Sequence, residues 1–513
     1  MLSDERGDAR RRKPPARGGE PRAPACDQEP IMRSLHRHFT SPRTRAASAA
    51  EVSLRSVFSM VLVSALLGSS ALLAGCSDAG GTPENTGGGA GVGGDAGSGG
   101  EDAGSGGEDA GSGGQNAGSG GQNAGSGGED AGSGGEDAGS GGGGDPSGEC
   151  TEGSTSGANT DPDDPVQQGA DHLVGDLEFP AVLVAVGDRD GQTRHYTAGV
   201  GDLETEAKVP VDGQVRIGSN SKTFTAVVVL QLVGEGDVDL DAPIETYLPG
   251  LVRGDGIDGR EITVRQLLQH TSGLPDYDDV LLAEGVFKVQ HTYVDPHALL
   301  DMALAQPGKA PGTEWAYSNT NYVLAGMIVE KVTGRPLNEE ITRRIIERIG
   351  LRNTYLPGVG DQRIRGCHPR GYHTDVPGEP LQDITELDPG WGWAAGQVIA
   401  TPSDLNRFYT ALFGGELVEP AQLEELRATV DAPAMWPGAR YGLGVVSTPL
   451  SCDGLVWGHG GDIPGFHTRG GVTEDGRAVT VAITVLPYFV YGEEGAEQAY
   501  MDVLGLVDTA LCE

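Results

Sequence analysis

The chain has 513 residues, of which 84 are glycine, and its 36 Lys and Arg face 74 Asp and Glu, giving a formal net charge of −38 at pH 7. This excess of negative charge argues against nucleic acid and against an anionic membrane surface as binding partners. The glycines are concentrated near the N-terminus, so only the rest of the chain is rich enough in apolar residues to form a packed core.

Residues 1–75 predict an export signal. Arg55 precedes a mostly apolar run over residues 57–73, and the run ends in Leu-Ala-Gly-Cys76. This ending resembles a bacterial lipobox, in which the cysteine is lipidated and becomes the mature N-terminus. Ser77 after it favours sorting to the outer membrane. The alternatives are an uncleaved membrane anchor and an ordinary signal peptide.

Residues 76–160 predict a disordered, Gly-rich tether. Residues 94–144 repeat the unit Gly-Gly-Glu-Asp-Ala-Gly-Ser, with Gln-Asn in place of Glu-Asp twice. Such a sequence has no apolar side chains to offset the entropy of an ordered backbone. A calcium-binding β-roll is the alternative, but its repeats have a period of about nine and a recurrent large apolar residue. We therefore expect an exported protein, lipid-anchored to the cell envelope at Cys76, with one folded domain over residues 161–513.

The folded domain begins and ends with predicted strands and is helical between them. Strands over 180–186 and 193–200 flank an Asp-Arg-Asp-Gly turn. Helices are predicted over 219–235, 264–269, 296–305, 319–332, 338–349, 403–413 and 420–428, and from 493 onward; strands return at 441–446, 456–459, 466–472 and 478–485. This order predicts an α+β fold, with an antiparallel sheet from both chain ends, flanking helices and an inserted, mainly helical region.

A serine three residues before a lysine is the first catalytic candidate. Lys222 is one of six lysines and the only one with a serine, Ser219, three positions earlier. Positions i and i+3 share one face of a helix, so the amine is placed to accept the proton of a nucleophilic hydroxyl. Free N–H groups at the helix start would favour a developing oxyanion. The alternative is an N-cap serine followed by a solvated lysine.

Two later motifs add polar side chains. Tyr317-Ser-Asn319 is the only Tyr-x-Asn in the chain and leads into an apolar helix. His459-Gly460-Gly461 ends a strand, and its glycines predict a close approach of a ligand to the backbone. Taken singly, these residues are better explained as a core tyrosine, a helix cap and a strand-end histidine. Together, the three motifs indicate a serine acyl-transfer enzyme.

The three motifs, in this order, resemble those of the penicillin-recognising serine hydrolases, which include class C β-lactamases, serine D-Ala-D-Ala carboxypeptidases, D-aminopeptidases and related esterases. Gln269-His-Thr-Ser-Gly-Leu-Pro275 and Ala400-Thr-Pro-Ser-Asp-Leu405 also match in order. The resemblance covers residues 165–512. It implies a β-lactamase/transpeptidase-like fold with the active site between the sheet and the inserted helical region.

The resemblance also implies a role for each residue of the first two motifs. Ser219 attacks a carbonyl carbon, and Lys222 and Tyr317 share the proton transfers. Asn319 hydrogen-bonds the substrate amide and Lys222.

The third motif implies substrate contacts. The backbone N–H groups of Ser219 and of Asp462, which follows Gly460 and Gly461, form the oxyanion hole. His459 stands where β-lactamases usually carry a lysine that completes a positive site for a substrate carboxylate. An imidazole holds an anion less firmly, so efficient β-lactam hydrolysis is not expected. Carboxylate binding should weaken as the pH rises through the usual histidine pKa, near 6.5.

Four cysteines remain for the folded domain once Cys26 in the leader and Cys76 in the lipobox are set aside: Cys150, Cys367, Cys452 and Cys512. An even number in an exported domain suggests disulfides, and four allow three connectivities. We favour Cys452 with Cys512, because the first precedes the His459 strand and the second ends a helix that should pack on the same sheet. With no Cys-x-x-Cys and with scattered histidines, we expect no metal and no cofactor.

These observations predict a hydrolase that acts through an acyl-enzyme, either D-Ala-D-Ala carboxypeptidase-like or another peptidase on peptidoglycan-type peptides. A class C-like β-lactamase or an esterase is the alternative within the enzymes. A catalytically inactive cell-wall peptide-binding lipoprotein is the alternative of another class. The partner is then a peptide or small-molecule substrate, and the membrane is contacted through the lipid anchor only. The sequence leaves the oligomeric state open.

Overall fold

The computed structural model describes Cys150 and residues 155–513, so the predicted leader, lipidation site and glycine-rich repeats lie outside the described residues. The described α-helices are α1 (Pro165–Gly175), α2 (Ser221–Glu235), α3 (Val264–Leu268), α4 (Asp278–Leu281), α5 (Pro296–Leu304), α6 (Thr320–Thr333), α7 (Leu337–Ile341), α8 (Glu347–Ile349), α9 (Trp393–Gly396), α10 (Pro402–Phe413), α11 (Pro420–Arg427) and α12 (Pro487–Cys512). The described strands are β1 (Ala181–Gly187), β2 (Thr193–Gly199), β3 (Val215–Arg216), β4 (Arg253–Gly254), β5 (Ile257–Asp258), β6 (Tyr372–His373), β7 (Gln382–Asp383), β8 (Ile399–Ala400), β9 (Val430–Asp431), β10 (Arg440–Tyr441), β11 (Val446–Pro449), β12 (Leu455–Gly458), β13 (Gly461–Ile463), β14 (Phe466–Thr473) and β15 (Ala478–Ile483).

The main sheet combines strands from both ends of the described chain. Its order is β2-β1-β15-β14-β12-β11-β10-β9, with β13 also paired to β14. The first strand, β1, runs antiparallel to the last, β15, with Val184 opposite Val481. Helices α2 to α11 lie between β2 and β9 in the sequence. The predicted α+β fold, with a sheet from both chain ends and an inserted helical region, is confirmed.

Helices cover both faces of the sheet. In β1, Val182 and Val184 face one side and pack with α1 and α12, in a core that includes Leu173 and Val503. Leu183, between them, points to the other side, into the large core that contains α2 and α6. Successive strand residues point to opposite faces. Because both faces are covered, β1 is apolar along its whole length rather than alternating.

Helix α2 is buried on all sides. Every residue from Ser221 to Leu232 is buried, which explains why the sequence here is apolar without an amphipathic period. The helix packs against α6 and α9. The residues at its N-terminus therefore lie in the interior, between the helical region and the sheet.

The predicted strand over 441–446 is wrong, because a tight turn divides it into β10 and β11. The Gly442 N–H donates to the carbonyl of Val445 (2.8 Å), and Gly444 has φ +82°. A Cβ at Gly444 would lie 2.6 Å from the Cβ of Ala226 in α2. The turn can therefore approach α2 only with glycine at this position.

Most other predicted elements begin and end within two residues of the described ones. The last helix differs: α12 begins at Pro487, not at residue 493, and has a non-helical residue at Gly492 (φ 66°, ψ −168°). The predicted helix over 338–349 contains a π-helical segment, Thr342–Ile346. Among residues 155–513, no helix is long and apolar enough to cross a lipid bilayer.

Two disulfides join distant parts of the described chain. Cys452 pairs with Cys512 (Cα–Cα 5.5 Å), the pairing favoured from the sequence, and links the loop before β12 to the end of α12. Cys150 pairs with Cys367 across 217 residues (Cα–Cα 4.8 Å).

Candidate active site

Ser219 lies in a 3₁₀ turn, Gly218–Asn220, that leads directly into α2. The predicted helix start at Ser219 is therefore this tighter turn, and the α-helix begins two residues later. Gly218 has φ +49°, and Asn220 donates from Nδ2 to Oγ1 of Thr468 in β14 (2.9 Å). The sheet and the helix together fix the position of the serine.

Lys222 contacts Ser219 from the first turn of α2. Its Nζ lies 3.0 Å from Oγ of Ser219, 2.6 Å from Oδ1 of Asn319 and 3.0 Å from the carbonyl oxygen of Ala395. The lysine side chain is completely buried. The structure thus brings the Ser-x-x-Lys and Tyr-x-Asn motifs together at one amine, within reach of the serine proton.

Two aspartates approach Lys222 from the far side of Asn319. Nδ2 of Asn319 donates to Oδ2 of Asp276 (3.0 Å) and of Asp278 (2.8 Å). Burial lowers the pKa of Lys222 to about 7, although the negative charges of Asp276, Asp278 and Asp462 raise it. Burial also raises the pKa of Asp276 to about 6 and that of Asp278 well above its usual value. Lys222 and Asp276 therefore both titrate near neutral pH, and the charge of each affects the protonation of the other.

Tyr317 lies on the other side of the lysine. Nζ of Lys222 is 4.8 Å from the centre of its ring, and the ring stacks on His270 with centroids 4.2 Å apart. Desolvation raises the pKa of Tyr317 well above its usual value, while a hydrogen bond with the Ser219 side chain opposes the rise. Tyr317 is therefore a neutral phenol at pH 7, suited to donate a proton rather than to act as a phenolate base.

The third motif packs directly on the 3₁₀ turn that contains Ser219. A Cβ at Gly461 would lie 1.9 Å from the carbonyl oxygen of Ile217, and a Cβ at Gly218 would lie 2.9 Å from the amide nitrogen of Asp462. Glycine at 461 is therefore required by the approach of β13 to the turn, and the close approach of a ligand to this backbone stays a prediction. This packing brings the Asp462 peptide next to Ser219, where the sequence analysis expects the oxyanion hole.

The side chain of Asp462 is held by two basic residues of β14. Nη2 of Arg469 donates to it (2.8 Å), and Nδ1 of His467 bonds its other oxygen. Burial raises the pKa of Asp462, but the charges of Arg469 and His467 outweigh this and hold it well below its usual value. The guanidinium of Arg469 also lies over the rings of Trp436 (5.7 Å) and Tyr500 (5.4 Å).

His459 borders the cleft, but its ring nitrogens face the protein. Nδ1 lies 2.5 Å from the carbonyl oxygen of Gly460, and Nε2 lies 2.8 Å from the hydroxyl of Tyr441. Burial and then the charge of Lys222 lower the pKa of His459 to about 3. The expected titration near pH 6.5 is therefore wrong. A cationic role for His459 toward a substrate carboxylate finds no support in this geometry.

Ser219 opens into a cleft of about 880 Å³ between the helical region and the sheet. Part of its wall is apolar: Leu282, Trp436, Tyr488, Phe489, Met501 and Leu504. Seven further lining residues are acidic: Asp276, Asp278, Asp279, Glu284, Asp375, Asp462 and Glu497. The lining cations Lys309 and Arg469 are paired with Glu314 and Asp462. In the described part of the chain, no three His, Cys, Asp or Glu side chains are grouped to hold a metal ion.

Sequence reasoning missed several residues of this site. Asp276 directly follows the matched segment that ends at Pro275, so its position in the chain was a usable signal. Tyr441 and Arg469 lie on strands whose partners the sequence does not reveal, and Ala395 contributes only a carbonyl oxygen. No sequence pattern would have identified those three.

Comparisons with known proteins agree with this geometry. The family model described as β-lactamase matches residues 166–500. The solved D-stereospecific amidohydrolase from Streptomyces sp. is 38% identical (TM-score 0.60), covering 66% of this chain and 97% of that one. D-amino acid amidase from Ochrobactrum anthropi SV3, solved with L-phenylalanine amide, is 27% identical (TM-score 0.58; 67% and 98%). Penicillin-binding protein 4* of Bacillus subtilis is 28% identical over 288 residues, 53% of this chain and 61% of that protein. The chain thus spans about three fifths of that curated relative.

Proposed function

The chain belongs to the β-lactamase family of serine hydrolases, and on that premise we propose that it cleaves amide bonds through an acyl-enzyme on Ser219. The substrates we propose are D-amino-acid amides and peptides that carry a free amine next to the scissile bond. D-residue-containing cell-wall peptides fall within this class. The observation that carries the proposal is Nζ of the buried Lys222 at 3.0 Å from Oγ of Ser219, in a cleft lined by carboxylates.

The proposed chemistry assigns one proton path to the site. Oγ of Ser219 attacks the carbonyl carbon and its proton passes to Nζ of Lys222, which is neutral in part at pH 7 because its pKa is about 7. The N–H groups of Ser219 and Asp462 bind the oxyanion. The Tyr317 hydroxyl gives its proton to the leaving nitrogen and takes one from Lys222. Water then attacks the ester, with the same groups moving protons in the reverse direction.

The charge of the cleft supports a cationic substrate. Its two lining cations are both paired, so a substrate carboxylate meets an acidic wall, whereas an ammonium group is attracted to it. The pKa of Asp276 is about 6 because of burial. A bound ammonium would favour the ionised form of this carboxyl and gain a charged partner. The same wall disfavours β-lactams and peptides that present a C-terminal carboxylate.

The relatives support the same class. Two of the similar solved proteins are named for D-specific amide hydrolysis, and one of them is solved with L-phenylalanine amide, a molecule with a free amine and an aromatic side chain. In this chain, the apolar wall formed by Trp436, Tyr488, Phe489 and Met501 offers a surface for a side chain of that size. D-Ala-D-Ala carboxypeptidase is the second candidate, favoured by the likeness to penicillin-binding protein 4*.

The test compares substrates that differ in one group. We expect D-phenylalanine amide to be hydrolysed with kcat/KM roughly tenfold or more above its N-acetyl derivative, because the acetyl group removes the charge that the cleft attracts. A D-Ala-D-Ala peptide, a chromogenic cephalosporin and a short-chain aryl ester are measured in parallel. Equal rates for the free and acetylated amide, or a preference for the D-Ala-D-Ala peptide, would reject the amine requirement.

Ser219→Ala separates catalysis from simple binding. A phosphonate should add one adduct to the peptide that carries Ser219 and none to the variant, and turnover of every substrate should be lost. Turnover by the variant, or an adduct elsewhere, would reject the nucleophile. A wild-type protein that binds peptides without any turnover or adduct would instead support the non-catalytic alternative.

We propose in addition that the protein is exported and lipid-anchored at Cys76, with residues 76–160 as the tether. The lipobox-like ending before Cys76 supports the anchor. Cys452 pairs with Cys512 within the folded domain, and Cys150, near the end of the tether, pairs with Cys367; such disulfides are typical of an oxidising, extracytoplasmic compartment.

A further inference from the structure

His270 is a buried histidine with an unusual backbone, directly behind the proposed proton donor. Its side chain has no solvent exposure, and its φ of +60° lies in the left-handed region that non-glycine residues rarely adopt. The residue follows α3 and its ring stacks on Tyr317 at 4.2 Å and 29°. A strained residue in this place requires strong contacts to hold it.

Those contacts clamp the chain on both sides of Tyr317. The carbonyl oxygen of His270 accepts from the N–H of Ala316 (2.9 Å), and its Nδ1 accepts from the N–H of Ser318 (3.2 Å). Nδ2 of Asn321 also donates to Nδ1 (3.0 Å). One histidine therefore bonds the backbone N–H groups of the residues before and after Tyr317 and covers the face of its ring.

The same contacts fix the proton of the imidazole. Because Nδ1 receives two donors, the ring proton is on Nε2, which lies 3.2 Å from the hydroxyl oxygen of Tyr441. Tyr441 then donates to Nε2 of His459 (2.8 Å), and Nδ1–H of His459 donates to the carbonyl oxygen of Gly460 (2.5 Å). These hydrogen bonds all run in one direction, from His270 through Tyr441 to His459. This arrangement requires both histidines to be neutral.

The surroundings keep both histidines neutral. Burial, then the charges of Lys222 and His459, lower the pKa of His270 well below its usual value. Among the described residues, the hydrogen-bond partners of the ring are Ser318, Asn321 and Tyr441, none of which is a carboxylate. Tyr441 is also a neutral phenol, because burial raises its pKa.

We infer that His270 is a positioning residue for catalysis: it sets the Tyr317 hydroxyl for proton transfer and, through Tyr441, orients His459 of the third motif. The inference rests on the proposed role of Tyr317, but not on which amide or ester is the substrate. His270 thereby connects the second motif to the third through one series of hydrogen bonds.

A double-mutant cycle tests this role. His270→Phe keeps a ring against Tyr317 but removes both nitrogen contacts, and Tyr317→Phe removes the hydroxyl that His270 is said to position. Acylation of Ser219 is measured with an activated aryl ester and, independently, by the rate of phosphonate labelling. We expect His270→Phe to slow acylation about tenfold or more in the wild-type background but about threefold or less beside Tyr317→Phe.

A purely structural role predicts a different result. Loss of stability alone would slow both backgrounds by the same factor, and that outcome would overturn the inference while leaving Ser219 catalysis intact. Full activity of Tyr317→Phe would overturn the role of Tyr317 and the inference with it. Loss of all labelling in wild type would instead reject the proposed function.

Two further variants keep the cycle interpretable. Leu267→Ala truncates a buried neighbour in α3 and serves as the stability control, with equal factors expected in both backgrounds. His270→Asn tolerates the left-handed backbone and can accept from Ser318, so it should fold if the Phe variant does not and should recover part of the rate. A His270→Asn rate below that of His270→Phe would contradict the proposed hydrogen-bond role.

Discussion

The pKa of Lys222 is set by burial against nearby carboxylates, and removing one of them should move the pH profile of acylation. In Asp276→Asn the side chain keeps its size and an acceptor oxygen for Asn319, but loses its charge. Burial lowers the pKa of Lys222 to about 7, and among the charges that oppose this decrease Asp276 has the largest effect. The variant should therefore have a lower lysine pKa, and the acidic limb of the profile should move to lower pH.

The magnitude follows from the geometry. Hydrogen bonds of 2.6 and 3.0 Å on the two ends of the Asn319 amide place the charges roughly 7 Å apart, where an effective dielectric of about 20 gives about 2.4 kcal/mol. That corresponds to a change of roughly 1.7 in the lysine pKa for a fully ionised aspartate. Asp276 has a pKa of about 6 and is only partly ionised in this range, so we expect a decrease of about 1.

The assay is the pH dependence of Ser219 acylation by a neutral aryl ester. With a lysine pKa of about 7, roughly 9% of the amine is neutral at pH 6, and a pKa lower by about 1 raises this to roughly 50%. Asp276→Asn should thus acylate about fivefold faster at pH 6 and equally fast at pH 9. Asp375→Asn is the control, since it lines the same cleft but is not among the charges acting on Lys222. The reasoning would be refuted if Asp276→Asn left the acidic limb of the acylation profile unchanged or moved it to higher pH. An equal shift of that limb in Asp375→Asn would refute it as well.

Two predictions concern other parts of the molecule. Replacing Cys452 and Cys512 by serine removes a cross-link between residues 60 positions apart, which the chain-entropy model values at about 4 kcal/mol. Urea unfolding should show a decrease in the free energy of unfolding that approaches this value, and an unchanged midpoint would contradict the prediction. Cys76→Ser should remove the protein from the detergent-soluble membrane fraction or leave an unprocessed precursor, whereas a wild-type protein found only in the cytosol would reject the anchor.

The sequence predicted the helices and strands and the contacts within one helical turn. Most side-chain contacts between distant segments were not predicted. Ser219 and Lys222 are one helical turn apart, so their contact follows from the helix alone. A sheet built from both ends of the domain was predicted from the order of the elements, although the pairing of β1 with β15 was not. The ionisation of His459 did not follow, because its burial and its bond to Tyr441 depend on the packing of a hairpin that the sequence suggested was one strand. Arg469 was missed although its strand was predicted, because the sequence does not show that β14 brings it against Asp462 of β13.

The neighbours of Lys222 suit its amine to the proton transfers that we propose, in both directions. Without burial, the lysine would remain protonated at neutral pH and accept no proton from Ser219. With burial alone, its pKa would fall further than about 7, and the protonated amine would form less readily when the serine is attacking. Asp276 and Asp278, held by Asn319, restore part of the affinity for a proton. The asparagine of the Tyr-x-Asn motif therefore connects Lys222 to the carboxylates that balance its desolvation, and those carboxylates lie on the cleft wall where we propose that the substrate amine binds.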